Sequence, residues 1–366
     1  MSAALAAPAV PIASVDGANL QRPLWSPDGA QLSFEANFHD EKRIELYIGR
    51  VGASGAEVPF ERVVARTRGT STLTAGFRTS SSGQVVHELA WAPRGIDAYV
   101  FAASNDQFDY DLFISEGAAV AASDKADGGA RWSPDGAFIA FTSARTGEGD
   151  LYLVDTRRIE AAPKQLTAQR DSSELYVDWS ADGHSLVYVA HSDAGDNLWL
   201  LPALNPSWEG RSQPTGAGLG AAPSRLTTWS GNQIRPRFAP FGTRIAFYAN
   251  HDDPERFDLY VVDVGGAPRL LARHVYPDAD GPAWTTDGRH IVYVSDDDAA
   301  ADPIRAVRVD DPTHAVTLDL GTVGNGDLDL GVRDGAPWIA VVAQGGQTDT
   351  RRDFKRLFAA PLPAMP

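Results

Sequence analysis

The stretch that decides the fold reads Arg131-Trp132-Ser133-Pro134-Asp135-Gly136-Ala137-Phe138-Ile139-Ala140-Phe141-Thr142-Ser143. It continues through Gly149-Asp150-Leu151-Tyr152-Leu153-Val154-Asp155 to Lys164-Gln165-Leu166-Thr167. Ser-Pro-Asp-Gly suits a type I turn, with Pro presetting φ at the second corner and Gly at the fourth. The flanking segments are short, aromatic or β-branched, and alternate with small or polar residues, which is a strand signal. The unit is therefore predicted as a hairpin, a third strand over Asp-Leu-Tyr and a fourth over Gln-Leu-Thr.

The same order recurs along the chain. Turns at Trp25-Ser26-Pro27-Asp28-Gly29, Trp91-Ala92-Pro93-Arg94-Gly95, Trp179-Ser180-Ala181-Asp182-Gly183, Phe238-Ala239-Pro240-Phe241-Gly242 and Trp284-Thr285-Thr286-Asp287-Gly288 are each followed by an Ile-Ala-Phe-like and an Asp-Leu-Tyr-like segment. A degenerate seventh copy runs from Val332-Arg333-Asp334-Gly335 to Arg356-Leu357-Phe358. A lone four-stranded sheet cannot bury both faces, whereas sheets packed radially can. The fold class is thus an all-β propeller of four-stranded blades, seven expected and six the alternative. Its single domain spans 10–362, between tails at 1–9 and 363–366. The last copy lacks a fourth strand, and Val10-Pro11-Ile12-Ala13 resembles one, so the N-terminal strand is expected to close the ring and remove two open edges.

The Trp-Ser-Pro-Asp-Gly, Ile-Ala-Phe and Asp-Leu-Tyr elements resemble the WD-repeat-like units of TolB and of the propeller domains of prolyl-oligopeptidase-type proteins. The resemblance covers about residues 10–362 and implies architecture more than activity, because such propellers serve as binding scaffolds, gates and occasional enzymes. Propeller-fold oligogalacturonate lyases, seven-bladed with a His-bound metal near the channel, are also similar, but their ligand set finds no residue-by-residue match in this sequence.

Composition is that of a globular protein with a sizeable core, at 43% hydrophobic and 22% charged residues. The net charge of -16 repels polyphosphates, so nucleic acid is not an expected partner, and a protein, small-molecule or cationic partner fits better. With no Cys there are no disulfides, thiolate metal sites or Cys nucleophiles. No apolar run is long enough to span a bilayer. The first residues lack a basic n-region and an apolar h-region. A monomer is expected, cytoplasmic as written and periplasmic or secreted if a leader was removed.

In a blade of this kind the strand two-to-three loops and the blade-to-blade connections share one face, here called the loop face. The Ser-Pro-Asp-Gly turns and the strand three-to-four loops share the other, the turn face. An insertion at 68–86, containing Arg68, Phe77 and Arg78, falls on the loop face, and one at 205–223 on the turn face. Gly216, Gly218 and Gly220 in the latter neither follow a strand nor open a helix, so a phosphate loop is rejected.

Neither a Gly-x-Ser-x-Gly elbow, a His-Glu-x-x-His motif nor a phosphate-binding loop occurs, and the given sequence ends with the last repeat, so no hydrolase domain is expected within it. His39, His87, His191 and His251 map to the loop face, with His274 near it, among Asp40, Glu88, Asp193, Asp252, Asp253, Asp278, Asp280, Asp327 and Asp329. His87, His191 and His251 are candidate ligands for a divalent metal ion, the only cofactor under consideration, and His87, Glu88 and His251 are candidate catalytic groups. Chance placement on so large a face competes with both readings. Arg22, Arg131, Arg235 and Arg237 enter innermost strands, where they either clamp a ligand carboxylate or pair with Glu88 or Asp178 between blades, the pairing being favoured. Arg22, Phe77, Arg78, Arg235 and Asp280 are the candidate ligand-binding residues. Asp296-Asp297-Asp298 lacks the spacing of an EF-hand loop. The sequence supports recognition through the acidic loop face at the channel mouth. The alternative is a channel-mouth enzyme, a metal-assisted lyase, hydrolase or cyclase acting on a carboxylated or sugar-like substrate.

Overall fold

A computed structural model of the chain describes residues 5–38, 43–52, 59–63, 85–104, 110–115, 117–169, 171–193, 195–202, 222–296, 302–346 and 354–366. Seven antiparallel sheets follow one another as blades. Their innermost strands are Asn19–Trp25, Val86–Trp91, Asp127–Trp132, Ser173–Trp179, Gln233–Phe238, Ala283–Trp284 and Thr322–Arg333. In blade two the described fourth strand is reduced to a bridge between Phe113 and Ala119. Blade seven takes its outer strand from Val10–Ala13, which pairs with Arg356–Pro361, so the N-terminal strand closes the ring as the repeat pattern implies. Residues 5–9, read from the sequence as a tail, lie along blade six: Leu5–Ala6 pairs in parallel with Asp311–Asp319, and the Ala7 and Ala9 amides donate to Asp319 and Leu320. At the other end Met365 packs on the core between blades six and seven.

Four of the turns owe their shape to a Ser or Thr bonded to an Asp. In blade three the Ser133 hydroxyl donates to Asp135 Oδ1 (2.6 Å), which also accepts the Ala137 amide (3.0 Å), while Ser133 Oγ accepts the Phe138 amide (3.0 Å). Ser26–Asp28, Ser180–Asp182 and Thr285–Asp287 repeat this bonding. Gly136 closes the turn at φ +72°, where an L side chain is strained.

The core consists of seven apolar clusters, one per seam between neighbouring blades. Strand alternation produces this. Along Phe138–Ser143, Ile139 and Phe141 face blade two, whereas Phe138 and Ala140 face blade four. The repeated Trp fastens the seams. Trp91 Nε1 donates to Leu24 O (3.2 Å), Trp132 to Ala90 O (3.2 Å), Trp179 to Arg131 O (3.1 Å) and Trp284 to Arg237 O (3.3 Å). Each indole thus satisfies the backbone of the preceding blade, and each buried bond of this type contributes roughly 1 kcal/mol.

Candidate functional site

Six innermost strands carry a register shift two to four residues before the repeated aromatic position. These are β-bulges, which free an amide and re-aim side chains. The residue three before the aromatic takes a positive φ in six blades: Arg22, Glu88, Gly129, Tyr176, Arg235 and Gly281. For the four non-glycines this costs roughly 1–2 kcal/mol each, so something at the axis must offset it.

Part of the answer is a ring of carboxylates receiving the freed amides. Glu35 Oε1 accepts from Glu88 N (2.8 Å), and Glu88 Oε2 from Gly129 N (2.8 Å). Asp178 Oδ2 accepts from Phe238 N (2.8 Å), and Asp278 Oδ2 from Leu328 N (2.6 Å). Asp327 Oδ2 accepts from Arg22 N (2.9 Å), and Asp329 Oδ2 from Trp25 N (2.7 Å). Neighbouring blades are joined in this way at their inner edges, the seventh to the first included.

The other part is a convergence of arginines on Asp280. Arg131 Nη2 lies 2.6 Å from its Oδ1, Arg237 Nη2 2.7 Å from its Oδ2, and Arg22 Nη2 3.5 Å from its Oδ1. Arg237 Nη1 also reaches Asp178 Oδ1 (3.1 Å), and Arg22 Nε lies 3.6 Å from Glu35 Oε1. Burial disfavours the Asp280 anion, but Arg131, Arg237, Arg22 and Arg235 outweigh it and hold the carboxyl at about 2. Burial and the neighbouring Arg237 lower Arg131 to about 10. Burial pushes Asp329 up to about 7, with Asp280 adding to it against the Trp25 amide. Burial and Asp327 push Asp278 well above the carboxylate range.

Beside this cluster lies a cavity of about 320 Å³ on the turn-face side of the axis. Asp178, Arg237, Asp280 and Asp329 line it together with Trp179, Phe238 and Trp284. Rigid strands hold every one of these groups except Asp280, and its two carboxylate oxygens are fixed by guanidiniums.

No family model matches the sequence, and no curated protein matches it. Solved structures do. TolB from Acinetobacter baumannii aligns with a TM-score of 0.51 at 16% identity, over 78% of this chain and 63% of TolB. A puromycin-hydrolyzing peptidase of Mycobacterium tuberculosis aligns at 0.57 with 15% identity, over 90% of this chain and 49% of the peptidase. A puromycin hydrolase complexed with PGG aligns at 0.59 with 16% identity, over 89% and 50%. The fold is a TolB-type β-propeller. The chain spans 63% of that TolB and about half of the peptidases, and identities this low carry the fold alone.

Within the propeller, Arg22, Arg235 and Asp280, named from sequence as ligand-binding, all reach the axis. Arg22 is spent on Glu35 and Asp280, and Arg237 pairs with Asp178 across a seam as favoured from sequence. Phe77 and Arg78 lie outside the described residues, as do Arg68, His39, Asp40 and most of both insertions. His87, His191 and His251 each find a carboxylate in their own blade. His87 Nδ1 lies 3.8 Å from Glu88 Oε1 with its ring edge-on to Tyr110, and His191 Nδ1 lies 2.5 Å from Asp196. His251 stacks on Trp229 at 4.0 Å with Nε2 3.0 Å from Asp252 Oδ1. His87 Nε2 and His251 Nδ1 are buried without a hydrogen-bond partner. Among the described residues no three His, Asp or Glu side chains gather in a group able to hold a metal ion. His274 sits on the outer strand Arg269–Val275 with Nδ1 3.2 Å from Arg256 Nη1.

Sequence reasoning missed the gathering on Asp280 and the role of Asp329. A signal was present. The residue before the repeated aromatic reads Leu24, Ala90, Arg131, Asp178, Arg237 and Ala283, so charges stand in a column that other blades keep small or apolar.

Proposed function

We propose that this propeller is a recognition module that takes a basic ligand segment, a Lys or Arg side chain of a peptide or partner protein, into the turn-face end of its channel. The observation that carries this reading is the cavity wall, which Asp178, Asp280 and Asp329 line with Trp179 and Trp284 and a single lining guanidinium, Arg237. Indole faces and carboxylates together suit a cation, and the net charge of -16 steers one toward the protein. This differs from the loop-face mouth expected from sequence, because the described cavity opens at the other end. Ala181 stands exposed at the cavity rim and touches none of the axis pairs. Ala181→Trp is expected to abolish binding of a tri-arginine peptide, followed by Trp fluorescence, while leaving the melting temperature in place. Binding of tri-glutamate as tight as tri-arginine would refute the proposal.

One observation favours a channel enzyme as the second reading. Asp329 lines the cavity and titrates near neutrality, where a general acid or base is most effective. That reading requires Asp329→Asn to abolish a turnover, whereas recognition requires the variant only to weaken tri-arginine binding.

A further inference from the structure

The opposite, loop-face end of the channel holds a second and independent feature. Arg235 is the one axis arginine without a carboxylate at salt-bridge distance among the described residues. Its Nη1 donates to the Ala279 carbonyl, and its guanidinium lies 4.8 Å over the Tyr176 ring. Lys355 is likewise without a carboxylate partner among the described residues, and its ammonium lies 5.7 Å from the Tyr276 ring centroid. Tyr276 follows Arg269–Val275, the outer strand of blade five, on the way into blade six, and Lys355 precedes strand Arg356–Pro361, so both belong to loop-face connections. Both tyrosines are exposed, at 37% and 38%.

Two cations without anions among the described residues are out of place in a protein with 48 acidic and 32 basic residues. The nearby carboxylates do not answer them. All four oxygens of Asp278 and Asp327 accept backbone amides, from Asp280, Leu328, Ala279 and Arg22. Strain points the same way. Tyr176 and Arg235 hold the left-handed bulge position, at φ +54° and +52°, that glycine fills in blades three and six. At the equivalent position Arg22 and Glu88 gain ion pairs and amide bonds. Among the described residues, Tyr176 and Arg235 have only each other and one carbonyl to offset the strain. Strained, uncompensated side chains facing an opening mark ligand sites more often than structural ones.

We infer that Arg235 and Lys355, framed by Tyr176 and Tyr276, form a binding site for a carboxylate-bearing ligand at the loop-face mouth. Arg235 supplies the planar fork for the two oxygens, Lys355 the second charge, and the tyrosines apolar edges for whatever carries the carboxylate. The source is either a small organic acid or the C-terminus of a peptide.

Calorimetric titration of the full chain with benzoate, Ala-Ala-Phe and amidated Ala-Ala-Phe separates these sources. Benzoate or the free-acid peptide is expected to bind, more weakly at high salt, and the amide to fail. Arg235→Gly is expected to reduce affinity at least ten-fold while the melting temperature holds or rises, because glycine relieves the strain. Lys355→Gln is expected to reduce affinity several-fold. The inference is overturned if neither acid binds at millimolar concentration, if the amide binds as well as the acid, or if Arg235→Gly lowers the melting temperature and leaves affinity unchanged.

Discussion

The seam between blades three and four and the seam between blades four and five share a plan and differ in chemistry. In the first, Thr167 Oγ1 accepts the Leu151 amide (2.8 Å) and donates to Glu174 Oε2 (2.9 Å), with Asp150 alongside. In the second, Thr227 Oγ1 accepts the Leu198 amide (2.9 Å) and donates to Gln233 Oε1 (3.1 Å), with Asn197 alongside. Two carboxyls in one seam are two amides in the next. The aromatic fastener differs as well: Trp179 donates to Arg131 O, but Phe238 has no such donor, and its own backbone amide is held by Asp178 instead. The first seam is therefore pH-sensitive. The second has neutral amides at the matching position and borders the cavity.

Glu174 is fully buried, and burial raises it to about 7, with Asp150 adding to the rise against the Thr167 and Ser172 hydroxyls. Asp150 Oδ1 has no hydrogen-bond partner of its own, so a proton on Glu174 has an acceptor nearby. Because the folded-state pKa lies above the unfolded one, the native chain binds more protons than the unfolded chain across this window. Stability from this group is complete below the ordinary carboxylate range, falls as pH rises to about 7 and is level beyond. Asp280, held at about 2, has the opposite sign: its contribution is present above the ordinary range and is lost as pH falls toward 2.

The contrast can be broken from either side. The largest effect is expected from Trp179→Phe, which makes the first seam like the second. It strands the Arg131 carbonyl and loses packing, at a cost of about 2 kcal/mol by denaturant titration. Next comes Glu174→Gln, which is expected to remove a fall of a few degrees in Tm between acid and neutral pH. The reciprocal Gln233→Glu should install that fall in the second seam. Thr167→Val and Thr227→Val each strand one strand amide, and both are expected to cost about 1 kcal/mol; a large inequality would show that the two seams are not built alike. A comparable cost of about 1 kcal/mol is expected for Phe238→Trp, where overpacking of the buried ring is partly offset by a new seam donor. That change should also weaken tri-arginine binding, because the larger ring enters the cavity.

The fold could be read from the chain because most copies spell their own turn: Ser133 and Asp135 bond as Ser26 and Asp28 do, and Trp132, before the first of these pairs, fastens the seam to the preceding blade. The axis was harder to read. Which side chains point inward depends on the bulge, and its left-handed residue is a glycine in blades three and six but Arg22, Glu88, Tyr176 and Arg235 elsewhere, where no residue type announces it. Hence Arg22, Arg235 and Asp280 were recognisable as inner residues, whereas the meeting of Arg22, Arg131 and Arg237 on Asp280 was not. The histidines drew attention by their equivalent positions. Equivalent positions in different blades stand apart, and each ring found Glu88, Asp196 or Asp252 close at hand.

Hydrogen–deuterium exchange of the full chain with and without tri-arginine tests the recognition reading most directly. Slower exchange is expected in the peptides that carry Trp179, Phe238 and Trp284, around the turn-face cavity, with the loop face unaltered. Protection confined to the loop face, or absent at saturating peptide, would contradict it.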